Sequence, residues 1–106
     1  MEADKSKREP VKLKWSLDQT KFIHPDNAEE VYNDKGLDAC LISTPTFTHE
    51  EFIIKSLEAG KAVFSEKPIA EKPSGTARCY QRAQELGKPL FCAFNRRFDP
   101  SFASIR

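Results

Sequence analysis

Apolar and polar residues alternate along residues 37–95 in blocks that predict strands and helices in turn. The run LDACLIST, at 37–44, is nearly continuous apolar, which is typical of a strand covered on both faces in a parallel sheet. Further strands are expected at AVFSE (62–66) and LFCAFN (90–95). Strands that alternate with helical segments in units of about 25 to 30 residues predict an α/β fold with parallel strands.

Two helices are predicted between these strands. In TFTHEEFIIKSLEAG, Thr48 and Glu51 have the spacing of a capping box, and Gly60 occupies the place of a left-handed residue after the helix. In KPSGTARCYQRAQELG, Ser74 is the expected N-cap and Gly87 the expected end. Both helices carry apolar residues at helical spacing, so each is expected to pack one face on the sheet.

The first third of the chain carries weaker patterns. Residues 1–10 are strongly charged and predict a disordered tail, which leaves residues 11–106 for the folded domain. Between Val11 and Leu17, apolar residues alternate with polar ones, as in a half-exposed edge strand.

Two short helices complete the predicted elements. HPDNAEEVYNDKG is expected to start a helix at Asp26 or Asn27 and to end it at Gly36. Asp99 followed by Pro100 has the pattern of an N-cap and a first helical residue.

Composition and charge exclude several classes of protein. The hydrophobic and charged fractions, 39% and 31%, are those of an ordinary globular domain. No apolar run approaches the ~18 residues that a membrane span needs, and no signal peptide is visible, so we expect a cytoplasmic protein. The net charge of +1 provides no field that would attract nucleic acid or an anionic membrane.

The cysteines and histidines do not form a metal-binding pattern. Cys40, Cys79 and Cys92 lie in apolar segments without C-x-x-C spacing, so we expect buried, reduced thiols. His24 and His49 are far apart and have no neighbouring ligand pair, so no metal site is expected.

Polar residues cluster directly after each of the three predicted strands, in the loops STPTFTH (43–49), SEKPIAEKP (65–73) and FNRRFDP (94–100). Parallel sheets place their chemistry at the carboxyl ends of the strands, where such loops meet. Each loop alone is a weak signal, but three in succession predict a single ligand site.

Lys67 is the candidate for proton transfer in the middle loop. To exchange protons near neutral pH, its pKa must fall from the usual ~10.4, through partial burial or through a nearby cation such as Arg96 or Arg97. On spacing alone, a solvated pair between Glu66 and Lys67 is the plainer interpretation. Pro68 restricts the backbone of Lys67 to extended conformations, and the bond between them is either trans or cis.

The outer loops carry candidate ligands for an anion or for a cofactor. Thr44 and Pro45 precede a helix N-terminus, which favours negative charge, although Pro45 is equally suited to ending a strand. Asn95 and Arg96 suit recognition of phosphate or sugar hydroxyls, and also suit an ordinary polar surface.

Three motifs in these loops resemble one enzyme family. T-P-x-x-T-H at 44–49, A-G-K-x-V-x-x-E-K-P at 59–68 and N-R-R-F-D-P at 95–100 are similar to the second half of the cofactor domain in Gfo/Idh/MocA oxidoreductases, above all in inositol 2-dehydrogenase-like members. The resemblance covers about residues 27 to 106. It implies hydride transfer between NAD or NADP and a secondary alcohol of a sugar or cyclic polyol.

The resemblance also implies roles for seven residues. Lys67 would contact the reacting hydroxyl or carbonyl and assist proton transfer, and Glu66 would lie near the nicotinamide ribose. The other cofactor-binding residues that it implies are Thr44, Pro45, His49, Asn95 and Arg96.

The chain departs from the family in its glycines. The four glycines, at positions 36, 60, 75 and 87, form no G-x-G-x-x-G loop for a pyrophosphate. Together with the resemblance, this implies that residues 11–106 are a partial dinucleotide-binding domain. Its expected fold is a partial Rossmann-like, doubly wound parallel sheet, without the first βαβ half and without a C-terminal α+β substrate domain. We expect no appreciable turnover from these residues alone. The alternative is a non-catalytic interaction or regulatory module that pairs with full-length homologues. A homo-oligomer is left open as a second kind of partner.

Overall fold

The computed structural model describes residues 4–103. The described chain forms two compact units, of which the first ends at Lys35 and the second begins at Gly36. No helix within residues 4–103 is long and apolar enough to cross a membrane.

The first unit is helical where a tail and a strand were predicted. Helix α1 spans Lys5–Trp15, and its N-cap Asp4 accepts a 2.9 Å hydrogen bond from the Ser6 amide. The predictions of disorder for residues 5–10 and of an edge strand beginning at Val11 are therefore wrong, while residues 1–3 lie outside the described range. The alternation was misleading because Leu13 and Trp15 are 79% and 64% exposed and mark no buried face.

The second helix of this unit is confirmed, but it begins later than predicted and ends at Asn33 instead of Gly36. A 3₁₀ turn covers Pro25–Asn27, and helix α2 spans Glu29–Asn33 without a side-chain cap. The side chain that accepts a bond here is His24, whose Nδ1 lies 3.3 Å from the Asp26 amide. A turn therefore occupies the residues that were expected to cap the helix.

The second unit is a parallel sheet with helices between its strands. Strands β1 (Ala39–Ile42), β2 (Ala62–Ser65) and β3 (Leu90–Cys92) lie in the order β1-β2-β3, and both pairings are parallel. Helices α3 (His49–Glu58) and α4 (Pro73–Glu85) are the crossover connections. Helix α5 covers Pro100–Ala103. The predicted Rossmann-like α/β fold is confirmed.

The predicted ends of the two crossover helices are correct. Gly60 and Gly87 have φ values of +78° and +61°, which L-residues with a side chain rarely adopt, and both follow a crossover helix. Asp99 caps α5, because its Oδ1 accepts a 2.8 Å bond from the Ser101 amide. Backbone geometry thus fixes where these elements stop and start.

The predicted N-cap position is correct for α3, where Thr48 is the N-cap, and wrong for α4. The Thr48 side chain makes no capping bond to α3, because its hydroxyl donates back to the carbonyl of Pro45 at 2.7 Å. Ser74 lies inside α4, which already begins at Pro73 with Lys72 as N-cap. Proline suits this first position because its fixed φ is helical and because an amide hydrogen at this position would have no partner within the helix.

The core lies between one face of the sheet and the two crossover helices. Its buried residues are Ile42, Ile53, Leu57, Val63, Ile69, Cys79 and Ala83. Ile53, Leu57 and Cys79 are fully buried, as the helical spacing of apolar residues in α3 and α4 requires. Burial also raises the pKa of the Cys79 thiol to about 11, because a thiolate is disfavoured in apolar surroundings. Cys40 and Cys92 are only half-buried, so burial was overestimated for these two cysteines.

The opposite face of the sheet carries three exposed apolar side chains side by side. Leu41 pairs with Phe64 and Phe64 with Phe91 in the parallel register. They are 74%, 47% and 62% exposed, and we call them the exposed row. Strand side chains alternate between faces, and the core uses only the face of Ile42 and Val63. The prediction that β1 is covered on both faces is therefore wrong for the described residues.

Two leucines test this one-sided packing. Leu57 is fully buried and Leu41 is 74% exposed. We expect Leu57→Ala to lower the free energy of unfolding by about 2–5 kcal/mol, because it leaves a cavity. Leu41→Ala removes the same atoms from the exposed row and should cost less than ~0.5 kcal/mol. Urea denaturation followed by circular dichroism measures both, and equal losses would show that the second face is covered.

Candidate functional site

The three strands end at the same level of the sheet. Ile42, the last residue of β1, pairs with Ser65, and Ser65 pairs with Cys92, the last residue of β3. Their loops therefore leave from one carboxyl edge. Six of the predicted site residues are exposed on these loops: Thr44, Pro45, Glu66, Lys67, Asn95 and Arg96.

The loop after β1 is held by a short chain of hydroxyl bonds. The Thr48 hydroxyl donates to the Pro45 carbonyl at 2.7 Å, and the Thr44 hydroxyl lies 2.7 Å from the Thr48 oxygen. Because Thr48 has one hydroxyl hydrogen, Thr44 is the donor in the second bond. The side chain that was predicted to cap the helix therefore shapes the loop that precedes it.

His49 lies beneath the carboxyl edge and joins two of its loops. The ring is only 1% exposed. Its Nδ1 lies 2.7 Å from the Pro68 carbonyl oxygen, and its Nε2 lies 2.9 Å from that of Thr44. Both ring nitrogens are thus occupied by backbone groups. The contact with the cofactor that the resemblance implies for His49 stays a prediction.

The loop after β2 is built from backbone contacts around Glu66. Its amide donates to the Ile42 carbonyl at 2.8 Å, which continues the sheet pairing by one residue. Its carboxylate turns back to accept a 3.1 Å bond from the Lys67 amide. The buried Ser65 hydroxyl donates to the Glu66 carbonyl at 3.0 Å. The Lys67–Pro68 peptide bond is cis.

The Lys67 side chain is exposed and points to no acidic partner in the described residues. In the described part of the chain, no ion pair joins Lys67 to Glu66, so the solvated pair that the spacing favoured is not formed. A bound ligand can therefore meet this ammonium group directly.

The loop after β3 starts with a 3₁₀ turn at Asn95–Phe98. The Ala93 amide donates to the Ser65 carbonyl at 2.9 Å, which keeps this loop beside the middle one. The Arg96 guanidinium lies over the Phe102 ring, 4.9 Å from its centroid. This stacking orients a cation next to a depression of about 370 Å³ that is lined by Asn95, Arg96, Phe98 and Asp99.

Glu66 affects the electrostatics of the strand end behind it. The pKa of the Cys92 thiol is raised, first by burial and then by the negative charge of Glu66. A thiol with a raised pKa stays protonated and is a poor nucleophile near neutral pH. Cys92 is thus part of the apolar floor of the edge. No group of three or more metal-ligating side chains occurs in the described chain.

Two charged residues with structural partners were missed by the sequence analysis. Lys61 is 2% exposed, and its Nζ donates to the Leu37 carbonyl at 3.0 Å, at the amino edge of the sheet. Glu50 accepts a 2.8 Å bond from Nε of Arg78 and so connects α3 to α4. Neither pairing has a signal in the sequence, because each joins residues more than 20 positions apart.

Comparison with known proteins identifies the relatives of this fold. Residues 2–94 match the family described as "Oxidoreductase family, NAD-binding Rossmann fold". Scyllo-inositol 2-dehydrogenase (NAD(+)) of Bacillus subtilis is 40% identical over 77 residues, which are 73% of this chain and 22% of that protein. The chain thus spans less than a quarter of the length of this relative.

Solved structures agree with this assignment. An NAD-binding protein from Listeria innocua superposes with a TM-score of 0.78 at 31% identity, over 93% of this chain and 27% of that one. KijD10, a 3-ketoreductase from Actinomadura kijaniata solved with NADP, superposes with a TM-score of 0.69 at 27% identity, over 73% of this chain and 24% of that one. The chain belongs to the Gfo/Idh/MocA oxidoreductases, and its described strands are part of their NAD-binding Rossmann fold.

Proposed function

We propose that the carboxyl edge of this sheet is the nicotinamide side of a cofactor site in an oxidoreductase. The reaction is hydride transfer between NAD or NADP and a secondary alcohol of a sugar or cyclic polyol. The observation that carries the proposal is the common level of Ile42, Ser65 and Cys92, since it brings three polar loops to one edge. The named activity of the Bacillus subtilis relative supports the substrate class.

Lys67 is the residue that we assign to proton transfer. It is exposed at the end of the central strand, and its ammonium group is unpaired among the described residues. In alcohol oxidation, a nearby acid–base group must take the hydroxyl proton while hydride leaves the carbon. Lys67 in its neutral form would accept that proton, and in the reverse reaction its ammonium would return it to the carbonyl oxygen. The bound cofactor supplies only the hydride chemistry.

The other exposed edge residues are suited to holding a cofactor and an alcohol. The Glu66 carboxylate accepts hydrogen bonds and is suited to ribose hydroxyls. On one side, Thr44 offers a hydroxyl and Pro45 an apolar ring. On the other side, Asn95 offers an amide and Arg96 a cation. The 106 residues contain no glycine loop for the pyrophosphate, so they provide only part of the site.

The exposed row favours a second candidate function, in which the chain pairs with a full-length homologue without catalysis. Exposed apolar side chains at adjacent positions commonly mark an interaction surface. We expect a tagged chain to co-purify with full-length inositol 2-dehydrogenase, and Phe64→Glu to abolish this by placing a charge in the row. Lys55→Glu, on α3, is the matched control and should pair normally. If Phe64→Glu recovers as much full-length enzyme as Lys55→Glu does, this function is excluded.

A chimera tests the role of Lys67. This chain's residues replace the matched segment in scyllo-inositol 2-dehydrogenase of Bacillus subtilis, and NADH formation is followed by absorbance. We expect Lys67→Met to lower kcat at least ~100-fold, since the acid–base group is lost while the side chain keeps its length. Lys55→Met, which removes an exposed cation paired with Glu51, should change kcat less than about twofold.

Cofactor binding shows whether the Lys67→Met chimera is folded. Retained NADH affinity together with unchanged kcat would contradict the proton-transfer role. The 106-residue chain alone is the second control, and we expect it to form no NADH from a panel of inositols.

A further inference from the structure

The two hydrogen bonds of His49 have an unusual requirement. Both partners, the carbonyl oxygens of Pro68 and Thr44, only accept hydrogen bonds. A neutral imidazole carries one N–H, so it can donate to only one of them. The other nitrogen would then present a lone pair to a carbonyl lone pair at less than 3 Å. Only a ring with a hydrogen on each nitrogen satisfies both contacts.

The surroundings of the ring decide whether such a charged form is sustainable. Its burial and its place at the start of α3 both disfavour a cation, since desolvation is costly and helix N-termini are positive. Two short charge-assisted hydrogen bonds oppose these costs, because such bonds are about twice as strong as neutral ones. Glu50 and Glu51, in the first turn of the same helix, are already paired with Arg78 and Lys55, so the two bonds are what stabilises the charge.

The two acceptors lie next to residues of the proposed site. Thr44 precedes Pro45 on the loop after β1, and Pro68 follows Lys67 on the loop after β2. The length of one imidazole ring therefore sets the spacing between the two loops. Loss of either bond would free one loop relative to the other while leaving the sheet intact.

We infer that His49 is a positioning residue whose ring, protonated on both nitrogens, clamps the loops after β1 and β2 and so sets the separation of Lys67 from Thr44 and Pro45. The catalytic meaning of the clamp rests on the proposed function. The clamp itself does not, because it consists of two bonds within this chain.

Two conservative variants separate the two bonds. Asparagine can donate from the position of Nδ1, so His49→Asn keeps the bond to Pro68 and loses the bond to Thr44. Glutamine can donate from the position of Nε2, so His49→Gln does the reverse. Carbonyl ¹³C resonances of Thr44 and Pro68 report each bond directly in the isotope-labelled 106-residue chain. His24→Gln is the control and should leave both resonances unchanged.

The expected results are specific to a double clamp. In the parent chain, both ring nitrogens of His49 should show the ¹⁵N shifts of protonated sites. His49→Asn should move only the Thr44 carbonyl resonance, and His49→Gln only that of Pro68. A ring with one unprotonated nitrogen, or the same carbonyl shifts in both variants, would overturn the inference.

The chimera distinguishes failure of the clamp from failure of the proposed function. There, His49→Asn and His49→Gln should each lower kcat about tenfold with little change in the KM for cofactor, because Lys67 is misplaced and the binding groups remain. If each variant moves only its expected carbonyl resonance and kcat does not change, the clamp is supported and the proposed role of Lys67 is contradicted. Any other pattern of carbonyl shifts would refute the clamp, whatever the kcat of the chimera.

Discussion

The parallel register of the three strands is the constraint on which the site depends. Pairing of Ile42 with Ser65 and of Ser65 with Cys92 ends every strand at one level. A slip of one residue in β2 would move Val63 from the core to the opposite face and bring Phe64 inward. The burial of Val63, 1% exposed against 47% for Phe64, therefore fixes the register. Packing on one side of the sheet thus determines where the polar loops meet.

Order within the carboxyl edge comes from groups that water does not reach. His49 and Ser65 are buried beneath the loops, and each bonds to the backbone of a loop residue. The exposed residues above them, such as Thr44 and Lys67, are consequently carried on backbone that is already fixed. This division between buried support and exposed chemistry is what a preorganised site requires, because side chains on unsupported loops lose their geometry.

Sequence patterns predicted the second unit well because its signals are local. Gly60 and Gly87 mark left-handed positions, and the spacing of Ile53 and Leu57 marks a buried helix face. The loops at the strand ends followed from topology. The partners of His49 did not, because Pro68 lies 19 residues away and no pattern links a ring to a distant carbonyl.

The failures at the N-terminus and on the second face have different causes. Alternation at Leu13 is a strand signal only if one face becomes buried, and it does not. The apolar run around Leu41 predicts a hydrophobic strand, but it does not show whether one face or both faces of that strand are covered.

A titration with reduced nicotinamide mononucleotide tests most directly whether the three loops form one site. This ligand carries the nicotinamide and ribose but needs no loop for a pyrophosphate. Amide resonances of the 106-residue chain are followed as its concentration rises. The account predicts that Thr44, Lys67 and Asn95 shift together and saturate with a single Kd, while resonances of Lys5–Trp15 stay in place. Shifts confined to one loop, or a different Kd for each loop, would contradict it.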